Sequence, residues 1–241
     1  MAQSNVYSLN VVGYVNITVV PGYNLISLPL QNADPTSSIN SVLTNTSYNG
    51  SPLLAPNGVA VYTWAGTSFN PEVIAGGDGN WYDQTGSFLV TNPLPPGKGF
   101  FFSLPTQAQQ IALGNSPIIS NLTITVVGSV LTGTNSYPVK TGFDFYGNFE
   151  PIQGDLTTNG LPVVDNSQYY TFNGHAYSSV LYGLGTNDSA LDLSGNPAPY
   201  PAFTDAGGDA IVVANPAVGQ GFLYKYIGGT ATTWVNVFTV H

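Results

Sequence analysis

Side chains that could act as nucleophiles or general bases are scarce in this chain of 241 residues. It contains no cysteine and no arginine, and its only histidines are His175 and His241. The Gly-x-Ser-x-Gly sequence that presents a catalytic serine in many hydrolases is absent. His175 follows Asn173-Gly174, a dipeptide typical of a tight β-hairpin, and we interpret it as a turn residue. These features predict that the protein is not an enzyme.

Carboxylates could support glycoside hydrolysis or calcium binding. A glycosidase needs a pair of carboxylates, yet Glu72 and Glu150 are the only glutamates, and most aspartates lie in Gly- or Asn-rich turns. Calcium takes about six to eight oxygen ligands, and the candidate ligands are Asp78, Asn80 and Asp83. Further candidates are Asn187-Asp188 with Asp192, and Asp205 with Asp209. We favour turns that bond their own backbone, so no cofactor is predicted and calcium is the alternative.

Aromatic residues could bind a ligand without catalysis. Many lie near two turns at equivalent places in the chain, and the candidates for stacking on sugar rings are Trp64, Trp81, Tyr170 and Tyr177. Others in the same segments are Phe69, Tyr82, Tyr169 and Phe172. Aromatic residues of strands more often pack between sheets. A core or a subunit interface is therefore the favoured interpretation, and a polysaccharide is an alternative partner.

The charge balance limits the classes of partner. Twelve acidic residues against three lysines give a net charge of −9, and only 6% of residues are charged. Negative charge repels the phosphate backbone, which argues against nucleic acid, and no apolar run is long enough to predict membrane insertion. The start, Met1 to Asn5, is typical of a terminus left by signal-peptide cleavage. We therefore expect an extracellular or cell-surface protein.

Short β-strands dominate the predicted secondary structure. Segments rich in Val, Ile, Thr, Tyr and Phe alternate with turns that contain Gly, Pro, Asn and Asp, which is typical of an all-β protein. The predicted strands include 11–20, 24–30, 59–64, 99–104, 122–127, 221–227 and 233–240. Residues 35–43 could form one short helix, with Ser37 or Ser38 as its cap.

An internal repeat predicts two tandem domains, each a β-sandwich or β-barrel-like unit. Four landmarks recur in the same order. They are Val11-Val12-Gly13 with Val126-Val127-Gly128, Gly22-Tyr23-Asn24-Leu25 with Gly142-Phe143-Asp144-Phe145, Tyr62-Thr63-Trp64 with Tyr170-Thr171-Phe172, and Gly97-Lys98-Gly99-Phe100 with Gly219-Gln220-Gly221-Phe222. We place the domains at residues 1–117 and 118–241.

Two segments of the first half, Gly22-Tyr23-Asn24-Leu25-Ile26-Ser27-Leu28-Pro29 and the later Pro96-Gly97-Lys98-Gly99-Phe100, form a recognisable pair of motifs. With them, the first half resembles a secreted bacterial module found in exported proteins of the Verrucomicrobia and Planctomycetes type. The resemblance implies that these two segments form paired strands of a cell-surface β-domain. It does not imply a defined activity.

The apolar segment Val6 to Val20 predicts self-assembly. A long, uncharged strand near a terminus is a liability unless it is paired, and it could pair within its own domain or complete the sheet of a second copy. We expect an extracellular filament, pilus-like, or a surface-layer subunit joined by β-strand addition; the alternative is a secreted carbohydrate-binding module. The predicted interface residues are Val6, Tyr7, Val11, Val12, Tyr14, Val15 and Ile17.

Overall fold

Antiparallel sheets make up most of the structure, which is a computed structural model. It describes residues 11–34, 36–52, 55–76, 78–185, 201–208 and 210–239. Within these ranges, sixteen strands form four sheets and two six-residue helices complete the regular structure. The predicted all-β class is confirmed.

A two-layered sandwich forms the first half. Its elements are β1 (Val12–Val19), β2 (Gly22–Ser27), α1 (Ile39–Thr44), β3 (Ser47–Tyr48), β4 (Ser51–Pro52), β5 (Ala60–Tyr62), β6 (Val73–Ala75), β7 (Trp81–Asp83), β8 (Gly99–Leu104), α2 (Gln107–Ala112) and β9 (Leu122–Ser129). One sheet has the order β1-β9-β3-β4 and the other β2-β8-β5-β6-β7. Alternate residues of both sheets, such as Val15, Ile17, Phe100 and Phe102, form a single buried core.

The second half repeats this plan with fewer strands. Its elements are β10 (Gly133–Val139), β11 (Gly142–Gly147), β12 (Gln168–Tyr170), β13 (Leu181–Leu184), β14 (Ala202–Thr204), β15 (Gly221–Tyr226) and β16 (Thr232–Phe238). A two-stranded sheet, β10-β16, lies against the five-stranded sheet β11-β15-β12-β13-β14. Val139, Tyr146, Phe222 and Trp234 belong to a second core between the two layers.

Local capping signals account for both helices. The hydroxyl of Ser38 accepts a hydrogen bond from the backbone N–H of Ser41 and begins α1, whose buried face includes Val42 and Leu43. A short helix was predicted within residues 35–43 with Ser37 or Ser38 as its cap; the helix is present but spans Ile39–Thr44, with Ser38 as the cap. Helix α2 was not predicted, although Thr106 and Gln109 form a reciprocal capping box at its start.

The two five-stranded sheets have the same topology. Their strand orders, β2-β8-β5-β6-β7 and β11-β15-β12-β13-β14, correspond element by element, and the expected pairing of the two motif strands is present as β2 with β8. This correspondence supports the predicted internal repeat. The segment before β2 is β1 and the segment before β11 is β10, so β10 corresponds to β1.

The pairing of strand β9 indicates where the first half ends and the second half begins. It pairs with β1 along all eight residues, from Val12 with Ser129 to Val19 with Leu122, just as β16 pairs with β10. The landmarks Val11-Val12-Gly13 and Val126-Val127-Gly128 are therefore neighbours in one sheet and do not mark equivalent positions of a repeat, which corrects this one of the four landmarks. A boundary after residue 117 would separate β9 from its partner, so the pairing favours a boundary within residues 130–132.

Reciprocal contacts join the two halves. The N–H of Ser27 donates to the carbonyl of Gly219 at 2.9 Å, and the N–H of Gly147 donates to the carbonyl of Gly97 at 3.0 Å. In the aligned repeats Ser27 corresponds to Gly147, and Gly97 corresponds to Gly219. Each contact thus recurs with the halves exchanged, as in a dimer with two-fold symmetry.

Two glycines allow the halves to approach at this point. A Cβ atom on Gly99 would lie 2.7 Å from the backbone nitrogen of Tyr146, and one on Gly221 would lie 2.9 Å from the carbonyl oxygen of Ile26. Beside them, Lys98 Nζ of the first half lies 2.7 Å from Asp144 Oδ1 of the second, with both side chains largely buried. The Gly-Lys-Gly-Phe motif therefore forms the contact between the halves.

Candidate association edge and aromatic cleft

Strand β1 has one buried and one exposed face. Val15, Ile17 and Val19 point into the core, whereas Val12 and Tyr14 are 67% and 73% exposed. This alternation follows from the two-residue period of a strand. The strand contains neither a charged residue nor a proline, so its exposed face is uncharged, with Val12 and Tyr14 at one end and the polar Asn16 and Thr18 at the other.

The outer backbone edge of β1 is unpaired among the described residues. β1 is the last strand of its sheet. The N–H of Val130 donates to the carbonyl of Val11, its direct opposite. Because bonded and non-bonded pairs alternate along an antiparallel ladder, the polar backbone groups of Val12, Tyr14 and Asn16 point outward. A groove of about 380 Å³ borders this edge from Asn16 to Val20.

The predicted interface residues divide into three groups. Val6 and Tyr7 lie outside the described residues. Val11, Val12 and Tyr14 lie at the accessible end of the edge, with Val11 half-buried. Val15 and Ile17 are 7% and 6% exposed, which corrects their assignment, because their side chains pack in their own core and cannot contact a second copy.

A cleft lined mainly by aromatic side chains lies between the two halves and has a volume of about 530 Å³. We call it the aromatic cleft. Its lining residues are Tyr23, Tyr62, Phe69, Asn70 and Phe101 from the first half, and Phe172 and Tyr177 from the second. Two hairpin turns position its walls, since Trp64 pairs with Phe69 and Phe172 pairs with Tyr177 across equivalent turns.

Polar groups lie at one side of the aromatic cleft. The hydroxyl of Tyr62 donates a hydrogen bond to Glu72 Oε2 at 2.6 Å, and burial together with this carboxylate raises the pKa of Tyr62. The side-chain nitrogen of Asn70 donates to Thr63 Oγ1 at 2.8 Å. The aromatic cleft therefore combines ring faces with hydroxyl and amide groups, and the Glu72 carboxylate bonds one of these hydroxyls.

Of the four aromatic residues predicted to stack on sugars, only Tyr177 lines the aromatic cleft. Trp81 is 1% exposed and lies in the first core, which corrects its assignment because a buried ring offers no face to a ligand. Trp64 is half-buried and donates its indole N–H to the carbonyl of Phe143 at 3.0 Å. Tyr170 packs against Tyr177 and Phe143, outside the cleft.

Sequence reasoning did not single out Tyr23, Tyr62 and Phe101 for this site. The sequence contained a signal for this site, because β2 and β8 carry apolar residues at consecutive positions. A strand that is buried on one face alone would alternate apolar and polar residues. Leu25 and Phe101 form a small third core with Phe145 of the second half. The second half therefore covers part of the outer face of the sheet that contains β2 and β8, and the aromatic cleft lies at the margin of the covered area.

The predicted calcium ligands serve their own turns. The carboxylate of Asp78 accepts hydrogen bonds from the backbone and side chain of Asn80 and from the hydroxyl of Tyr82. These bonds, that of Tyr82 above all, lower the pKa of Asp78 to about 2. Asp83 Oδ1 accepts bonds from Thr85 and Ser87.

The remaining acidic candidates are dispersed. The described part of the chain contains no group of three or more histidine, aspartate or glutamate side chains that could hold a metal ion. Asp188, Asp192 and Asp209 lie outside the described residues. Asp205 Oδ1 accepts a bond from the N–H of Gly207, which is again a bond within its own turn.

Two titratable side chains, His175 and Glu150, were considered above as candidates for catalysis. His175 is exposed on its hairpin, where its N–H donates to Asn173 Oδ1, and this confirms its interpretation as a turn residue. Glu150 is 2% exposed, and its Oε2 accepts a bond from Asn236 at 2.7 Å, while Oε1 has no partner among the described residues. Burial raises the pKa of Glu150 to about 7.

Among the described residues, neither helix is long and apolar enough to cross a membrane. No protein-family model, no curated protein and no solved structure matches this chain.

Proposed function

We propose that this protein is an extracellular structural subunit whose copies join by β-strand addition at the outer edge of β1. The observation that carries the proposal is the uncharged, proline-free edge of this eight-residue strand. Natural proteins usually protect such edges with charges, prolines, bulges or covering segments. Among the described residues, the accessible end of this edge, from Val11 to Tyr14, has none of these protections, and we propose it as the template for a second strand.

The pairing of β1 with β9 changes how strand addition would occur. Donation of β1 to a neighbour would break a complete eight-residue ladder, so the proposed role of β1 is to accept a strand at its free edge. Backbone hydrogen bonds would supply affinity, and the exposed side chains of Val12 and Tyr14 would supply apolar contact. Only 6% of the residues are charged, so few like-charge contacts oppose stacking.

A filament also needs a second, different surface, because contacts between unlike patches generate open polymers. The sheet β10-β16 has only two strands within the described residues, and β16 exposes Val235 and Val237. We assign the second surface to this sheet. The proposed extracellular location is supported by the composition, which is poor in charged residues.

The test introduces charges on the edge without changing the core. We expect Val12→Lys/Tyr14→Lys to convert polymers into monomers, because each lysine adds charge beside the backbone groups that a second strand must reach. The matched control is Val127→Lys, which lies opposite Tyr14 on the inner strand β9 and is also exposed. Sedimentation velocity and negative-stain microscopy provide the readouts.

The Val127→Lys control distinguishes association through the backbone edge of β1 from association through the face of its sheet. If Val127→Lys also gave monomers, the sheet face would form the contact and strand addition would be wrong. A wild-type protein that stays monomeric at high concentration would overturn the whole proposal, and so would unchanged polymers of the double variant.

A further inference from the structure

We infer that the aromatic cleft binds a neutral glycan by stacking pyranose rings on its exposed side chains. This function is separate from self-association, because the cleft lies between the halves and includes no residue of β1. Its volume of about 530 Å³ falls within the range of about 300–1,000 Å³ that is usual for small-ligand sites.

The exposed rings are held in place before any ligand arrives. Tyr23, Phe69 and Tyr177 are each between 41% and 49% exposed. Tyr23 packs against Tyr62 with ring centroids 5.7 Å apart, Phe69 packs against Trp64 at 5.0 Å, and Tyr177 packs against Phe172 at 5.3 Å. Rings fixed in this way lose little conformational entropy on binding, which favours recognition by stacking.

The polar groups favour a sugar over a wholly apolar ligand. A pyranose has an apolar C–H face and a rim of hydroxyl groups. Phe69 and Tyr177 can contact the face, while the Asn70 side chain and the hydroxyl of Tyr62 lie among the lining groups that can bond the rim. Glu72 beside Tyr62 disfavours an anionic ligand, and none of the lining residues is basic. A neutral glycan fits both properties.

The equivalent place in the other half has a different surface. Phe143 replaces Tyr23, and Leu223 replaces Phe101. The residue opposite Tyr23 is Ser103, whereas the residue opposite Phe143 is Lys225, whose Nζ lies over the Phe143 ring at 5.1 Å from its centroid. The Lys225 ammonium group therefore covers a face of the Phe143 ring, whereas the Tyr23 ring keeps its exposed face. The equivalent place lacks the uncovered ring face that Tyr23 supplies and the ring that Phe101 supplies, so the aromatic cleft is not duplicated by the repeat.

The test measures binding of neutral hexasaccharides by isothermal titration calorimetry. The probes are cello-, laminari-, xylo- and mannohexaose, added to the Val12→Lys/Tyr14→Lys protein so that assembly does not interfere. We expect at least one probe to bind, and Tyr177→Ala and Tyr23→Ala each to weaken that binding at least tenfold, because stacking needs the ring. The control is Phe88→Ala, which removes a 72% exposed ring outside the cleft and should leave the affinity unchanged.

Further outcomes decide between ligand classes. Tyr177→Phe should retain most of the affinity, because the ring face remains. This variant also preserves folding, so it keeps the test valid if an alanine variant is unstable. Binding of poly-L-proline in place of every hexasaccharide would overturn the inference, and so would the absence of binding at millimolar concentration. Failure to bind glycans would leave the edge proposal untouched, because polymer formation is measured separately.

Discussion

Single buried side chains set the pH response of this fold. Glu150 lies in the segment that follows β11, is buried, and accepts a hydrogen bond from Asn236 on β16. Burial raises its pKa from 4.5 to about 7, against a smaller opposing effect of the Asn135 side chain. The folded state therefore binds this proton more tightly than the unfolded state does.

The expected result is a loss of stability as the pH rises. The contribution of Glu150 is fully present below pH 4.5 and is lost as the pH rises through about 7. Glu150→Gln should flatten this decline, because a neutral amide keeps the bonding capacity without a charge. The measurement is the free energy of unfolding in urea between pH 4.5 and 8, with Glu72→Gln as the control. An equally steep decline in Glu150→Gln would contradict the prediction.

Residue types alone predicted which aspartates bond their own turns better than they predicted which aromatic rings are exposed. The aspartates Asp78 and Asp83 were expected to bond their own turns, and they do. Trp64 and Trp81 could not be separated in the same way. Trp64 follows an apolar stretch and Trp81 follows the turn Asp78-Gly79-Asn80, yet Trp81 is the buried ring. Whether a ring points into the core depends on strand register, which is set by distant pairing partners.

At the level of elements, the sequence predicts where strands lie but not which strands pair. The predicted strand 99–104 coincides with β8, whereas the partner of β1 is more than 100 residues away and leaves no local signal. β10 escaped prediction because it is polar and contains Pro138. An end strand accepts proline, since an N–H that faces outward is not needed.

Helix α2 provides a test of local structure between β8 and β9. Gln109 Oε1 accepts a bond from the N–H of Thr106 at 2.9 Å, and the hydroxyl of Thr106 accepts one from the N–H of Gln109. We expect Thr106→Ala to reduce the free energy of unfolding by about 1 kcal/mol. Thr106→Ser keeps the cap and should stay close to wild type. Chemical denaturation measures both, and equal losses would show that the methyl group matters instead of the cap.

At the scale of the molecule, the two halves meet through backbone bonds that recur with the halves exchanged. Three of the four landmarks lie at corresponding positions of the two halves, and the equal strand orders support the predicted repeat. The reciprocal contacts could not be predicted, because the backbone bonds of Ser27 and Gly147 join segments that are far apart in the chain. Glycines carry a trace of them: a Cβ atom on Gly147 would clash with the Ser27 side chain, and Gly99 and Gly221 occupy the same position of the two motifs.

Those glycines allow the contact between the halves to be tested. At Gly99 the nearest atoms to an added Cβ belong to the backbone of Tyr146 and Phe145, between 2.7 and 2.8 Å away, and backbone cannot give way as a flexible side chain can. We expect Gly99→Ala to destabilise the protein by about 1–3 kcal/mol, the usual cost of overpacking. Gly221→Ala should cost less, since its contacts begin at 2.9 Å.

The matched control is Gly229→Ala, because nothing lies within 4 Å of an added Cβ there. That substitution should be neutral or slightly stabilising, since alanine restricts the unfolded chain. Denaturant unfolding gives the order of the three variants. Because the aromatic cleft is built from both halves, Gly99→Ala should also weaken any ligand bound there, whereas Gly229→Ala should not. If Gly99→Ala were as stable as Gly229→Ala, the close contact between the halves would not exist in solution.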